Sequence, residues 1–257
     1  MLKDYLQACF SWRIWLLLAS QDIKQRYRRS ALGPFWLTIS TAVTIYTMGF
    51  LYGHLFHVNL ESYLPHLATS IVCWGLLAGL INESTIVFIE SEAYLKNFSL
   101  PYSLYLFRLA ARNYTIFFHN ILALLPLYFI FPHFLNWKII FLLPALLLVF
   151  LCLILYGMIF GLLGARYRDF SQIMQSVMQV AFYLSPVMWL PESLPARYQW
   201  IVWANPFYQI LEILREPLMG YYIPWFSLFA VLVIIFFGFL ICGFLIPNYK
   251  ARLIFWV

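Results

Sequence analysis

Residues 139–163, IIFLLPALLLVFLCLILYGMIFGLL, decide how this chain is read. All 25 positions pass without a charge; Lys138 stands just before them and Arg166 just after. A helix that is apolar all round belongs inside a large core or a bilayer, and about 20 such residues suffice to cross a membrane. The rest of the chain repeats the pattern. Aliphatic and aromatic residues fill 64% of the 257 positions, and charged residues only 10%. A soluble surface could not be built from so few charges. Comparable stretches run roughly from Gly33 to His54, His66 to Ile89, Leu109 to Phe131, Ile173 to Leu190 and Trp225 to Ile246. The expected fold is an all-α integral membrane protein with six transmembrane helices. Residues 1–257 form one membrane domain, with no soluble domain between the spans.

Lys and Arg set the expected orientation, because cytoplasmic loops collect them. Thirteen of the 16 fall in the N-terminal segment, the loop after the second span, the loop after the fourth and the C-terminus. Lys138, Arg197 and Arg215 fall on the other side. Both termini are therefore expected in the cytoplasm of a multi-pass protein. The net charge of +6 then reports topology and contact with lipid headgroups, not nucleic-acid binding. Cys9, Cys73, Cys152 and Cys242 form no metal-type pair and read as small hydrophobes.

Four segments stand out between the spans. In residues 1–22, Leu2, Tyr5, Leu6, Cys9 and Phe10 recur at helical spacing, opposite Lys3, Asp4, Gln7 and Ser11. That pattern is an amphipathic helix in the cytoplasmic interface; an arm folded back on the protein fits it equally. Lys24, Arg26, Arg28 and Arg29 follow, completing a basic segment up to residue 30. Such a cluster is a topology signal, and it can also meet an anionic substrate. The loop 90–107 holds a short helix over 91–98, broken by Pro101, with Phe98 and Leu100 near its tip. Those apolar groups suit docking to a partner or to the N-terminal helix. On the outer side, residues 186–222 carry Pro186, Pro191, Pro195, Pro206 and Pro217 together with Trp189, Trp200 and Trp203. Two short helices, about 194–204 and 207–218, broken at Asn205-Pro206, form a re-entrant outer hairpin that reads as a gate over a pathway.

Catalytic chemistry is hard to place. The chain has no G-x-x-x-x-G-K-[ST], no H-E-x-x-H and no G-x-S-x-G. No catalytic residue, metal site or cofactor is expected in the chain itself. Asn82, Glu83 and His119 stand out among the few polar residues within spans. Glu83 lies close enough to the inner mouth to pair with Arg26, Arg108 or Arg112, and a transport role fits it equally. His119 reads as a packed, hydrogen-bonded side chain. The pairs Gly49/Gly53, Gly75/Gly79 and Gly157/Gly161 allow close helix packing. Aromatics inside the spans, such as Tyr46, Trp74, Tyr114, Phe182 and Tyr183, could offer flat apolar faces to a sliding sugar polymer. A membrane-embedded acyl- or glycosyltransferase acting on glycolipid is the alternative reading, though no acid, base or nucleophile cluster supports it.

Several motifs in order carry a resemblance. Asp22…Lys24-x-Arg26-Tyr27-Arg28-x-Ser30-x-Leu32-Gly33-Pro34-x-Trp36 is the first. Lys96-Asn97-Phe98-Ser99-Leu100-Pro101, Ala165-Arg166-Tyr167-Arg168-Asp169-Phe170-Ser171-Gln172-Ile173, Ser185-Pro186-Val187-Met188-Trp189 and Asn205-Pro206-Phe207 follow. Together they resemble the membrane subunit of polysaccharide-exporting ABC transporters, especially exporters of lipopolysaccharide O antigen. The resemblance implies a homodimer in the bacterial inner membrane, working with two copies of a cytoplasmic ATPase subunit that binds ATP and Mg. It implies a polysaccharide cargo on undecaprenyl pyrophosphate. Arg26, Arg28 and Arg29 would meet the pyrophosphate. Glu92, Tyr94, Lys96, Phe98 and Pro101 would couple to the ATPase, and Pro186, Trp189, Asn205 and Pro206 would belong to the outer gate.

Overall fold

The long apolar runs become long helices. The computed structural model describes residues 2–28, 30, 32–33, 35–55, 59–249 and 252–257, and every regular element among them is helical. In chain order these are α1 (Leu2–Phe10), α2 (Trp12–Arg26), α3 (Phe35–Leu55), α4 (Leu60–Ser84), α5 (Val87–Glu90), α6 (Glu92–Asn97) and α7 (Ser103–Ile121). There follow α8 (Leu125–Ile130), α9 (Leu142–Arg166), α10 (Phe170–Leu184), α11 (Gln199–Trp203), α12 (Pro206–Leu218), α13 (Trp225–Tyr249) and α14 (Leu253–Trp256). Among the described residues, five helical segments are long and apolar enough to cross a membrane: Phe35–Leu55, Leu60–Ser84, Ser103–Ile130, Trp137–Arg166 and Trp225–Pro247.

The remaining expected crossing, Ile173 to Leu190, is helical over a shorter range. Its helix, α10, has 15 residues, about 22 Å at 1.5 Å per residue, against a hydrocarbon core of about 30 Å. It stops at Leu184 because a residue before proline is pushed out of the helical region. Ser185 accordingly turns extended, with φ −88° and ψ 142°. The segment beyond contains two three-residue turns of 3-10 helix, then α11, then α12. Asn205 caps α12 by accepting the Phe207 N–H at 2.9 Å, and Pro206 occupies the first helical position, where its missing N–H costs nothing.

α4 is the hub, packing against α3, α7, α9, α10 and α12. Lipid is as apolar as leucine, so burial alone does not draw these helices together; close approach and hydrogen bonds do. Gly49 and Gly53 let α3 settle onto Leu64 and Leu60. Gly157 packs on Leu106, Gly161 on Phe88, and Gly164 directly on the carbonyl oxygen of Thr85. Tyrosine hydroxyls supply the second device. Tyr46 donates to Ala123 O (3.1 Å), Tyr114 to Leu146 O (2.7 Å), Tyr128 to Leu218 O (2.8 Å) and Tyr156 to Ile234 O (2.9 Å). Each bond ties one segment to the backbone of another.

The N-terminal arm is folded onto the bundle. The Asp4 carboxylate accepts the Ser103 N–H at 3.1 Å and its hydroxyl at 2.8 Å, capping the start of α7. Tyr5 donates to Ile154 O at 3.2 Å, and Trp15 packs on Phe107 with ring centres 5.7 Å apart. Tyr5 thus turns toward protein, while Leu6, Cys9 and Phe10 remain exposed. At the far end of the bundle, α12 closes with Tyr221 N–H on Glu216 O and Gly220 N–H on Pro217 O, at 2.9 and 3.1 Å. That pair of hydrogen bonds requires a left-handed residue, and Gly220 supplies it at φ +74°.

Candidate functional site

One end of the bundle gathers most of the cations. Here the start of α7, the ends of α4 and α2, and the short helices α5 and α6 meet. Asp22 on α2 binds Arg108 through two hydrogen bonds, Nε to Oδ2 at 2.8 Å and Nη2 to Oδ1 at 2.5 Å. Arg112, one turn further along α7, reaches Asp22 at 3.3 Å, Glu83 at 2.9 Å and Glu90 at 3.9 Å. Asn113 donates to Glu83 at 2.5 Å. Arg108 also lies over the Tyr94 ring, 5.5 Å from its centre. Asp22, Glu83, Arg108 and Arg112 are largely covered, so the fork geometry counts for more than it would at a surface, while Glu90 at the rim is half exposed. Burial raises the Glu90 carboxyl above its ordinary value; Arg112 acts to lower it and Glu83 to raise it further.

The network sorts the cations. Arg108 and Arg112 are neutralised. Arg26 and Arg28 are exposed and make no ion pair among the described residues. Arg29 lies outside the described residues. Glu83 is paired with Arg112, and His119 bonds the Thr115 carbonyl at 2.8 Å.

The loop between α4 and α7 lies at the same end. Glu92 and Lys96 form an exposed ion pair one helical turn apart, at 2.5 Å, and Lys96 also donates to Val257 O at 3.1 Å. Tyr94 is half-buried and Pro101 buried, while Phe98 is 58% exposed. A groove of about 450 Å³ runs beside them, lined by Asp4, Gln7, Phe98, Leu100, Pro101 and Ile254. The groove is shared by the loop, α1 and α14. Beneath it, Phe88 of α5 rests on Gly161, where a Cβ would come within 2.7 Å of the ring.

At the opposite end, Pro186, Trp189, Asn205 and Pro206 come together around a buried ionic cluster. Arg215 on α12 is 3% exposed. It pairs with Glu212 and donates to Ser70 Oγ at 3.3 Å and Pro186 O at 3.2 Å. His66 Nε2 lies 3.1 Å from Pro186 O and 3.2 Å from Trp189 O. Arg215 Nη1, a donor, lies 3.3 Å from the same nitrogen, so two carbonyl acceptors and a guanidinium converge on it. Asn205 Nδ2 donates to Ser185 Oγ at 2.9 Å. One side chain therefore caps α12 and holds the end of α10. The Trp189 indole donates to Tyr183 O at 3.3 Å.

Sequence reasoning did not find His66, Ser70 and Glu212, and it placed Arg215 on the outer side without a partner. The spacing Glu212-x-x-Arg215, which puts opposite charges on one face of an apolar helix, was the available signal. The in-span aromatics are dispersed. Trp74 packs against Phe182 and Phe207, with ring centres 5.6 and 6.4 Å away. Tyr46 and Tyr114 are half-buried with their hydroxyls engaged, and Tyr183 is exposed.

Comparison with known proteins agrees with this layout. Residues 13–219 match the family model for the ABC-2 type transporter. Two curated relatives from Klebsiella pneumoniae, each named O-antigen export system permease protein RfbA, are similar along most of their length. One is 20% identical over 207 residues and the other 21% over 212, each match covering 80% of this chain and 80% of the relative. The matched span runs from the basic arm through the buried cluster at the far end. This chain belongs to the ABC-2 type transporter family and is the transmembrane subunit of an ABC transporter.

Proposed function

We propose that this subunit carries a lipid-linked polysaccharide, of the O-antigen class, outward across the bacterial inner membrane. The energy comes from ATP hydrolysed with Mg on a separate cytoplasmic ATPase subunit. The names of the two relatives support the cargo class. The observation that carries the geometric side is the sorting of arginines. Asp22 and Glu83 consume Arg108 and Arg112, while Arg26 and Arg28 stay exposed beside them. Exposed guanidinium groups at the mouth of a membrane path suit a pyrophosphate, which they bind in pairs. Arg29 would complete the set.

In this reading the basic end faces the cytoplasm with both termini. α1 and α2 lie in the interface, and α10 completes a sixth crossing together with the segment after it. α11 and α12 re-enter as the outer gate around Pro186, Trp189, Asn205 and Pro206. Two copies enclose the path, because one thin bundle leaves little room for a polymer. Tyr46, Trp74, Tyr114, Phe182 and Tyr183 offer it aromatic faces. The ATPase docks on Glu92, Tyr94, Lys96, Phe98 and Pro101. Closure of the ATPase pair pushes α5 and α6, and the close seat of Phe88 on Gly161 passes the push to α9 as a rigid body.

Purification of the chain with its ATPase tests the assembly: a two-plus-two complex is expected, and Phe98→Asp should release the ATPase. A chain that purifies alone, with ATPase activity indifferent to it, refutes the transport role. For the cargo, Arg26→Ala with Arg28→Ala and Arg29→Ala should strand lipid-linked glycan inside the cell while the complex stays whole. Normal surface polymer in that variant removes the pyrophosphate site.

A further inference from the structure

α10 presents three faces of different chemistry. Met178 and Ala181 are buried against the bundle. Ile173, Val177, Val180 and Leu184 form an exposed apolar strip. Beside it, Gln172, Gln175 and Gln179 are also exposed, in line with exposed Tyr183. At 100° per residue, these four share an arc of about 80° on one side of the apolar strip. None of the three glutamine side chains has a hydrogen-bond partner among the described residues.

A primary amide brings two donors and an acceptor, and hydrocarbon answers none of them. Small hydroxyl residues escape that cost: on α3, Ser40 and Thr44 bond their own helix at Leu37 O and Ser40 O, both 2.9 Å away. A glutamine row has no such recourse. It needs water or a polar ligand along its whole length of about 10 Å.

We propose that Gln172, Gln175 and Gln179 face a wet path and hydrogen-bond the hydroxyl groups of a carbohydrate chain passing along it; this rests on the polysaccharide reading above. Amides are neutral, so they hold a hydroxyl without trapping it as a charge would. Every sugar offers both donors and acceptors, so the row serves a polymer of any composition. The row also leads somewhere: above Gln179 stands Tyr183, whose carbonyl accepts the Trp189 indole of the proline-rich end. A second copy of the chain has a better seat in the adjoining apolar strip, where Ile173, Val177 and Val180 need no polar partner.

Cysteine labelling tests this in inside-out vesicles carrying the whole transporter, on a C9S background; Cys73, Cys152 and Cys242 are buried. A membrane-impermeant maleimide should reach Q175C and Q179C at least about tenfold faster than V177C and V180C, because a thiol held in hydrocarbon rarely ionises. Labelling at Gln175 and Gln179 should slow when the host makes lipid-linked polymer. Equal rates on both strips overturn the wet face. A Q175C–Q175C disulfide between copies, with no labelling, assigns the row to a second copy and overturns it too. Fast labelling that ignores polymer overturns the carbohydrate contact. If the unaltered chain moves no polymer to the cell surface, the polysaccharide reading fails and takes this one with it. If it does move polymer, and Q175L with Q179L moves it at the same rate, the amide row alone has failed.

Discussion

At the scale of single residues, this protein depends on polar groups placed where lipid would punish them unpaired. Arg215 is the sharpest case. Arg215→Ala leaves Glu212 buried without its partner and is expected to cost about 3–5 kcal/mol. Replacing both together, Arg215→Met with Glu212→Leu, should recover much of that loss. Thermal unfolding of the detergent-solubilised complex compares the two; equal losses would mean the cluster is not a coupled pair. The tyrosine hydroxyls weigh less. Tyr114→Phe and Tyr156→Phe are each expected to lower stability by about 0.6 kcal/mol, and by no more than about 1.7. Glu90 gives a pH dependence with a definite sign. Its folded carboxyl titrates above the ordinary value of 4.5, so its contribution is full below pH 4.5 and is lost as pH rises through the raised value. Asp22, Glu83, Arg108 and Arg112 face it and set the size of the effect. Glu90→Gln should flatten that slope in melting temperature against pH. Of these partnerships the sequence made one legible: Glu83, near the inner mouth, had Arg112 among its candidate partners, and the two are 2.9 Å apart; the pairing of Asp22 was not. Asp22 and Arg108 are 86 positions apart, and a charged residue announces that it needs a partner without naming it.

At the scale of elements, close packing at glycine decides more than apolar content does. A Cβ on Gly164 would collide with the Thr85 backbone carbonyl, which cannot swing away, whereas nothing lies within 4 Å of Gly75. Gly164→Ala is therefore expected to destabilise by about 1–3 kcal/mol, and Gly75→Ala to be neutral or mildly stabilising. Folded yield and melting temperature separate them; the reverse order would mean α9 and α4 do not meet as described. The long helices were legible for a plain reason. α9 and α13 lack any charge over a bilayer's width, and no other element tolerates that. The proline-rich segment was legible at Asn205-Pro206, where capping chemistry is local. It was less legible at Ser185, because the residues after it stay apolar and only the backbone restriction of Pro186 ends the helix. The helix Gln199–Trp203 came out shorter than the span 194–204 for a similar reason. Pro195 holds the chain extended before it, and one turn of 3-10 helix, Ala196–Tyr198, fills the gap.

At the scale of the whole molecule, the structure is lopsided. α4 is enclosed on nearly every side, with 67% of its best apolar window buried, whereas α3 has 11%. Among the described residues α3 is fastened along one edge, by Gly49 and Gly53 on α4, by Tyr46 bonding Ala123 O, and by Thr38 and Thr41 bonding His119 O and Asn120 Oδ1 at 2.7 and 3.2 Å. Deuterium uptake in detergent should therefore reach the α3 amides well before those of α4. Simultaneous exchange would mean that something else covers the outer edge. The unequal burial has a consequence for how the subunit is built into its membrane. The seat of α3 is the next crossing along the chain, so the rod has nothing to lean on until α4 has followed it into the lipid.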